Sequence, residues 1–203
     1  VAGRRKEFVE KTILNGKRGT NGTHVILRDT NNGHLSDKAK SLQNEQYREE
    51  IYMSVKAKYV HTNIVAMDYR KLSNFYIKVF GCCPVPPERD HYGEWVERAT
   101  GVKNAQIKGI HLRLPGFGDA GPTLEIFQYS HAAGHTAKRI NRAGFAHVAF
   151  SVEDIKSALE IVKSEGGGQV GELVTIDIPD AGRIAFVYVT DPEGNIIELQ
   201  KWS

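Results

Sequence analysis

The feature that most narrows what this chain can fold into is an internal repeat. Phe145-Ala-His147-Val-Ala-Phe-Ser-Val-Glu-Asp154 is a short apolar segment that carries one histidine and ends at an acidic helix start, and Tyr59-Val-His61-Thr-Asn-Ile-Val-Ala-Met-Asp68 reads the same way. In both copies an aspartate follows the histidine by seven residues, and a glycine, Gly81 or Gly167, follows it by twenty. Each copy closes on a segment with one glutamate among apolar neighbours, Thr123-Leu-Glu125-Ile-Phe in the first and Ile196-Ile-Glu198-Leu in the second. Self-similarity of this kind fixes architecture better than local propensity does, because it must describe one supersecondary unit used twice.

The unit reads as strand, helix and three strands. In the first copy Tyr59 to Met67 is a strand, and Asp68 is placed to cap a helix over Tyr69 to Phe80, where Leu72, Phe75, Tyr76 and Val79 recur at helical spacing. Gly81 ends that helix. Pro84, Pro86 and Pro87 force an irregular or edge segment, and Tyr92 to Thr100 forms a short helix over a pocket. Strands at Ala105 to Leu114 and Thr123 to Tyr129 follow, joined by a Pro/Gly-rich turn. In the second copy the strand is Phe145 to Val152 and the helix Glu153 to Glu165, stopped by Gly166-Gly-Gly168. Three more strands lie at about 169–176, 183–190 and 195–201, with turns at Pro179 to Gly182 and Asp191 to Gly194. The expected class is therefore α+β, with tandem βαβββ modules at 56–130 and 145–203 joined by a polar linker at 131–144.

Residues 1–52 do not belong to the repeat. They are rich in Gly, Asn, Lys and Arg, with apolar clusters only near Phe8 to Leu14 and His24 to Leu27, too little to fill a core; Lys38 to Tyr52 is charged and suits a short helix. The readings are a leader preceding a start at Met53, or an appendage that docks elsewhere. Charge is uneven: ten Lys/Arg stand against seven Asp/Glu in residues 1–55, and seventeen of each in 56–203. The repeat is thus neutral and offers no basic surface for nucleic acid. No apolar run is long enough to span a membrane and no secretory signal is visible, so the expected compartment is the cytoplasm. The only cysteines, Cys82 and Cys83, are adjacent and badly placed to close an intrachain disulfide loop.

Because side chains alternate along a strand, His61, Glu125, His147 and Glu198 can all point to one concave face if two sheets curve toward each other. Two buried carboxylates side by side are costly, and a divalent cation removes that cost: two neutral imidazoles and two carboxylates make a neutral complex. Four protein donors on an octahedral ion leave two adjacent positions for water or a substrate with two oxygens, and the mixed N/O set suits Ni, Co, Mn, Zn or Fe. A single strand histidine is usually a core or surface residue; its repetition with an equivalent glutamate is what points to a metal. His111 and Arg113 lie on the strand expected beside Glu125 and are candidates for substrate contact. His24, His34, His91, His131 and His135 read as structural or surface residues.

Over residues 56–203 the two units, the Thr-Leu-Glu125-Ile-Phe-Gln-Tyr strand and the ending Asp191-Pro-Glu-Gly-Asn-Ile-Ile-Glu198-Leu resemble the vicinal oxygen chelate superfamily, which includes glyoxalase I, methylmalonyl-CoA epimerase, extradiol dioxygenases and the bleomycin and fosfomycin resistance proteins. The resemblance implies paired βαβββ modules forming an open barrel, a divalent metal at His61, Glu125, His147 and Glu198, and a homodimer. Bacterial glyoxalase I usually has Arg and Asn for glutathione where this chain has Val65 and Tyr129. Methylmalonyl-CoA epimerase usually has Gln in place of Glu125, and extradiol dioxygenases use two His and one Glu. The resemblance therefore implies a metal-dependent lyase or isomerase acting on a small molecule, with Glu198 as base and Glu125 as ligand and second acid/base group. The alternatives are a non-catalytic drug-binding protein and an extradiol-type dioxygenase.

Overall fold

A computed structural model describes residues 55–134 and 138–203. The readings for residues 1–52, and for His24, His34 and His135, lie outside the described residues. Within them the repeat folds into two four-stranded sheets. The first contains β1 (His61–Val65), β2 (Cys83–His91), β3 (Ile107–Arg113) and β4 (Thr123–Tyr129), in the order β1-β4-β3-β2. The second contains β5 (His147–Ser151), β6 (Gly168–Ile178), β7 (Gly182–Thr190) and β8 (Ile196–Trp202), in the order β5-β8-β7-β6. In each sheet the first strand runs parallel to the last and the other neighbours are antiparallel. The class is α+β, and the sheets do not close on each other by hydrogen bonds.

Helix α1 (Tyr69–Phe80) has the bounds its sequence sets. The Asp68 carboxylate accepts from the amides of Arg70 and Lys71, and Gly81 takes the left-handed conformation at φ 67° with its N–H on the Ile77 carbonyl. Tyr69, Leu72, Phe75 and Tyr76 form its buried stripe, and burying side chains of that size contributes roughly 1.5–3 kcal/mol each. Ser73, also buried, donates to the Tyr69 carbonyl, so no polar group is stranded there. Helix α3 (Ile155–Ser164) repeats the plan: Asp154 accepts from the Ser157 amide, and Ile155, Leu159 and Val162 face inward.

The repeated glycines serve different ends. Gly81 is an αL cap, whereas at Gly167 an added Cβ would collide with the Thr190 carbonyl, so close approach of helix end and strand is what requires it. The proline segment is the edge strand β2, and Pro86 and Pro87 fall in the register shift between Val85 and Arg89, where prolines are tolerated. Helix α2 (Glu94–Thr100) is shorter than the expected helix because Gly93, at φ 96°, is its N-cap.

Both modules share one core. Leu72, Phe75 and Tyr76 of α1 lie in the same buried cluster as Leu159 and Val162 of α3, with Leu124 and Ile126 of β4 and Ile197 and Leu199 of β8. Each sheet therefore turns one face toward helix and core and leaves the other face open. On the first sheet, α2 covers the far end of the open face, its Val96 packing with Ile107, Phe127 and Tyr129.

Candidate metal-binding half-sites

Strand alternation decides which side chains occupy the open faces. In β4 the buried Leu124 and Ile126 flank Glu125, and in β8 the buried Ile197 and Leu199 flank Glu198, so both carboxylates point away from the core. The pairing is the same in both repeats: Asn63 lies beside Glu125 and His111 opposite it; Ala149 lies beside Glu198 and Tyr188 opposite it. His61 and His147 stand two residues before Asn63 and Ala149, on the same faces.

The first half-site is a tight cluster. Glu125 is only 13% exposed, and its two oxygens have different partners. Oε1 is 2.8 Å from His111 Nε2, while Oε2 accepts from Asn63 Nδ2 at 2.8 Å and lies 3.6 Å from His61 Nε2. The His61 and His111 rings meet edge to face at 5.8 Å, and His111 Nδ1 lies 3.1 Å from the Thr123 hydroxyl. Burial pulls the His111 imidazole below its usual range, helped by the charges of Arg89 and His61 and opposed by Glu125. Phe127 packs beside this group, with His91 wedged between Phe127 and Trp95. His91 thus borders the open face.

The second half-site is simpler. His147 Nε2 lies 3.1 Å from Glu198 Oε2, and Glu198 is likewise 13% exposed. The Tyr188 ring is 5.2 Å from the His147 ring, and its hydroxyl hydrogen-bonds Glu198. Burial raises the Tyr188 phenol, the Glu198 charge adds to the shift, and the hydroxyl stays a donor across neutral pH. The amide of the first half-site has no counterpart, because Ala149 holds that position.

Bonds of about 2.1 Å set at right angles on a cation hold neighbouring donors about 3 Å apart. The His147–Glu198 separation of 3.1 Å matches that spacing and the His61–Glu125 separation of 3.6 Å is wider, and the donors are those a borderline divalent ion takes. The structure joins the four candidates in two pairs and does not bring the pairs together: among the described residues no group of three or more His, Cys, Asp or Glu is arranged to hold an ion. Of the two candidates for substrate contact, His111 belongs to the first half-site, whereas Arg113 donates from Nη1 to the Gly121 carbonyl of the β3–β4 turn at 2.7 Å. Sequence reasoning missed Asn63 and Tyr188. Laying the repeats on each other strand by strand, rather than at His and Glu alone, places Tyr188 with His111.

A cleft of about 580 Å3 lies between the two sheets, lined by Thr62, Leu124, Val148, Phe150 and the turn from Leu114 to Phe117. None of the His or Glu candidates lines it. No helix among the described residues is long and apolar enough to cross a membrane.

Among solved structures, a glyoxalase family protein from Bacillus cereus matches with 22% identity over 73% of this chain and 95% of its own, at a TM-score of 0.58. That likeness shows the fold. An integron cassette protein from the mobile metagenome of V. cholerae matches with 22% identity over 74% of this chain and 99% of its own, at 0.45. The fosfomycin resistance protein FosX from Listeria monocytogenes, solved with Mn(II) and a sulfate ion, matches with 14% identity over 74% of this chain and 95% of its own, at 0.42. At those scores the last two add nothing to the argument. No curated protein matches the chain. The family model described as Glyoxalase/Bleomycin resistance protein/Dioxygenase superfamily matches residues 58–199. Because that match begins before His61, runs through both repeats and ends one residue beyond Glu198, the chain belongs to this superfamily.

Proposed function

We propose that the protein is a divalent-metal-dependent enzyme of the glyoxalase/epimerase type, acting on a small substrate with two neighbouring oxygens. The observation that carries this reading is the repeated His–Glu pair, with the two donors facing each other on equivalent strands of both modules, at 3.6 Å in the first and 3.1 Å in the second. His61, Glu125, His147 and Glu198 would hold the ion. When bound there, the ion would supply Lewis-acid stabilisation of the negative charge that develops on those oxygens.

The remaining chemistry belongs to the side chains, and the two halves are unequal. Glu125 is held on both oxygens, by Asn63 and by His111, and suits the part of a fixed ligand. Glu198 lacks the amide and keeps only His147 and the Tyr188 hydroxyl, so it is the carboxylate free to take the substrate proton. Val65, on the face of His61, offers a half-exposed apolar surface, which favours an acyl or thioester portion over an anionic peptide at that end.

The test is elemental analysis of protein purified without added metal or chelator, together with turnover assays on glutathione hemithioacetals and 2-oxo or 2-methyl thioesters. Wild type should carry a near-stoichiometric transition metal that His147→Ala loses. Glu198→Gln should keep most of the metal and lose turnover by at least about 100-fold. Full activity in Glu198→Gln would remove it as the base, and wild type that takes up no metal after reconstitution would leave a ligand-binding barrel as the better account.

A second reading, the extradiol-type dioxygenase, draws on residue types alone: His61, His111 and Glu125 are two imidazoles and one carboxylate within one module, the donor types of non-haem iron oxygenases, in an arrangement that does not itself form a three-donor ion site. It requires iron retained in His147→Ala and oxygen uptake with a catechol.

A further inference from the structure

We infer that Arg89 and the row of rings beside it form a recognition subsite on the open face of the first sheet. It takes a substrate with a flat apolar body and, at the end away from the two neighbouring oxygens, a carboxylate. The inference rests on the metal reading above and names the substrate class within it.

Three observations carry it. The first is where register puts Arg89. It lies opposite Gly109 of β3, and Gly109 lies opposite Phe127 of β4, so Arg89 belongs to the face that holds His111 and Glu125. It stands two strands from Glu125, about 10 Å across the sheet, a distance that a small molecule seated at the half-site can span. The His111 imidazole feels burial most, then the Glu125 charge, then the charge of Arg89, so the guanidinium is close to the half-site.

The second is that this guanidinium has no acid of its own. Its chain neighbours Glu88 and Asp90 point to the other face, as alternation requires. There Glu88 accepts from Arg70 and from the Tyr69 hydroxyl, while Asp90 accepts from Gln106 at 2.8 Å and lies 3.8 Å from Lys108. Among the described residues Arg89 forms no ion pair, and its one hydrogen bond runs from Nη1 to the Pro87 carbonyl. The rest of a planar fork with five donors, which suits a carboxylate held by two parallel bonds, is left to a ligand. Glu125 is the one carboxylate that the described strands place on this face, and Asn63 and His111 already hold its oxygens.

The third is the floor beside Arg89. Ring contacts run unbroken from the half-site to α2: His61 to His111 at 5.8 Å, His111 to Phe127 at 5.9 Å, Phe127 to His91 at 6.1 Å and His91 to Trp95 at 5.2 Å. Gly109 lets Phe127 lie in this row, because a Cβ there would strike its ring. For the same reason no side chain stands between Phe127 and Arg89. Trp95, at the outer end, is 57% exposed and offers a wide apolar surface to a flat ligand. A body lying on these rings, with its two oxygens toward His61 and Glu125 and its carboxylate on Arg89, uses all three features.

The test uses the full chain and three 2-oxo acids, with dissociation constants from isothermal titration calorimetry. 4-Carboxybenzoylformate has the ring and the distal carboxylate, benzoylformate the ring alone, and 2-oxoadipate the distal carboxylate alone. Wild type should bind the first at least about 10-fold more tightly than either of the others. Arg89→Met and Arg89→Gln remove the charge and keep a comparable stem. Both should lose the preference over benzoylformate while leaving the affinity for benzoylformate itself within about twofold. Trp95→Ala should shrink the preference over 2-oxoadipate by about fivefold. A wild type without these preferences would overturn the inference, as would failure of all three probes to bind. So would a carboxylate preference that survives both Arg89 variants, or a ring preference that Trp95→Ala leaves whole. Metal content is measured on the same samples, and the shared 2-oxo acid end makes the ratios independent of the ion. Preferences in a wild type that takes up no metal would sink the metal reading and keep the subsite; a metal-loaded wild type without them would do the reverse.

Discussion

Replacing Tyr76 with Phe removes one hydroxyl from the contact that ties the first module to the second. Asp191 is 2% exposed and receives four donors: the Glu193 amide at 2.9 Å, the Asn195 amide at 2.9 Å, Asn195 Nδ2 at 2.6 Å and the Tyr76 hydroxyl at 3.1 Å. A hydrogen bond to a charged group contributes about 1.5–3 kcal/mol, and three donors remain, so the expected loss near neutral pH is about 2 kcal/mol. For a folded region of this size that lowers the unfolding midpoint by roughly 4–8 °C. The loss should depend on pH, with a definite sign. Burial pushes the Asp191 carboxyl up, while the bonds from Asn195, Glu193 and Tyr76 pull it down. A raised carboxyl contributes most below its unfolded-state value and loses that contribution as pH rises through its folded-state value. Tyr76→Phe removes one of the downward pulls and raises the group further, so the variant should lose more stability at pH about 7 than at pH about 4. Urea unfolding of both proteins, followed by circular dichroism at the two pH values, measures the difference directly. An equal loss at both, or none near neutral pH, would refute the account of a charged Asp191 held by Tyr76.

Gly109→Ala should destabilise the protein by about 1–3 kcal/mol, because its Cβ would strike the Ile126 carbonyl and the Phe127 ring; an unchanged thermal midpoint would show that β3 and β4 can shift apart. Tyr188→Phe should lower turnover by about tenfold or more while metal content holds, since it loses only the hydroxyl on Glu198; loss of metal instead would make Tyr188 a support of the ligand. Cys83 is exposed and Cys82 is buried with its thiol pushed up to about 12, so a thiol reagent near neutral pH should titrate one cysteine in the native protein and both in denaturant.

The legibility of the fold was greatest where the controlling interactions are local. Asp68 and Gly81 cap a helix whose apolar spacing marks its buried stripe, and the same grammar at Asp154 and Gly166 marks the second helix. Strand ends moved by a few residues, as in β6, which extends to Ile178, because ladder hydrogen bonds depend on the partner strand and its bulges. The candidate site was legible as residue types in equivalent positions, but not as geometry. Asn63 and Tyr188 carry no motif of their own; each enters the site because register sets it beside a glutamate. Arg113 lies on the same face as His111, and the carbonyl that accepts from its guanidinium is supplied by a turn that the strand pattern does not announce.

By itself, the sequence determined the repeat, the βαβββ order of each unit, the α+β class and the His–Glu pair in each half, because alternation, helical period and capping are properties of neighbouring residues. Only the tertiary structure decided how the two units meet. The Phe80–Phe150 stack, the Tyr76–Asp191 bond and the shared core join residues far apart in the chain, and nothing periodic announces them. Those contacts set the helix-bearing faces inward and leave the two half-sites on separate open faces. Four candidate residues that form one constellation when read along the sequence are therefore two pairs in space.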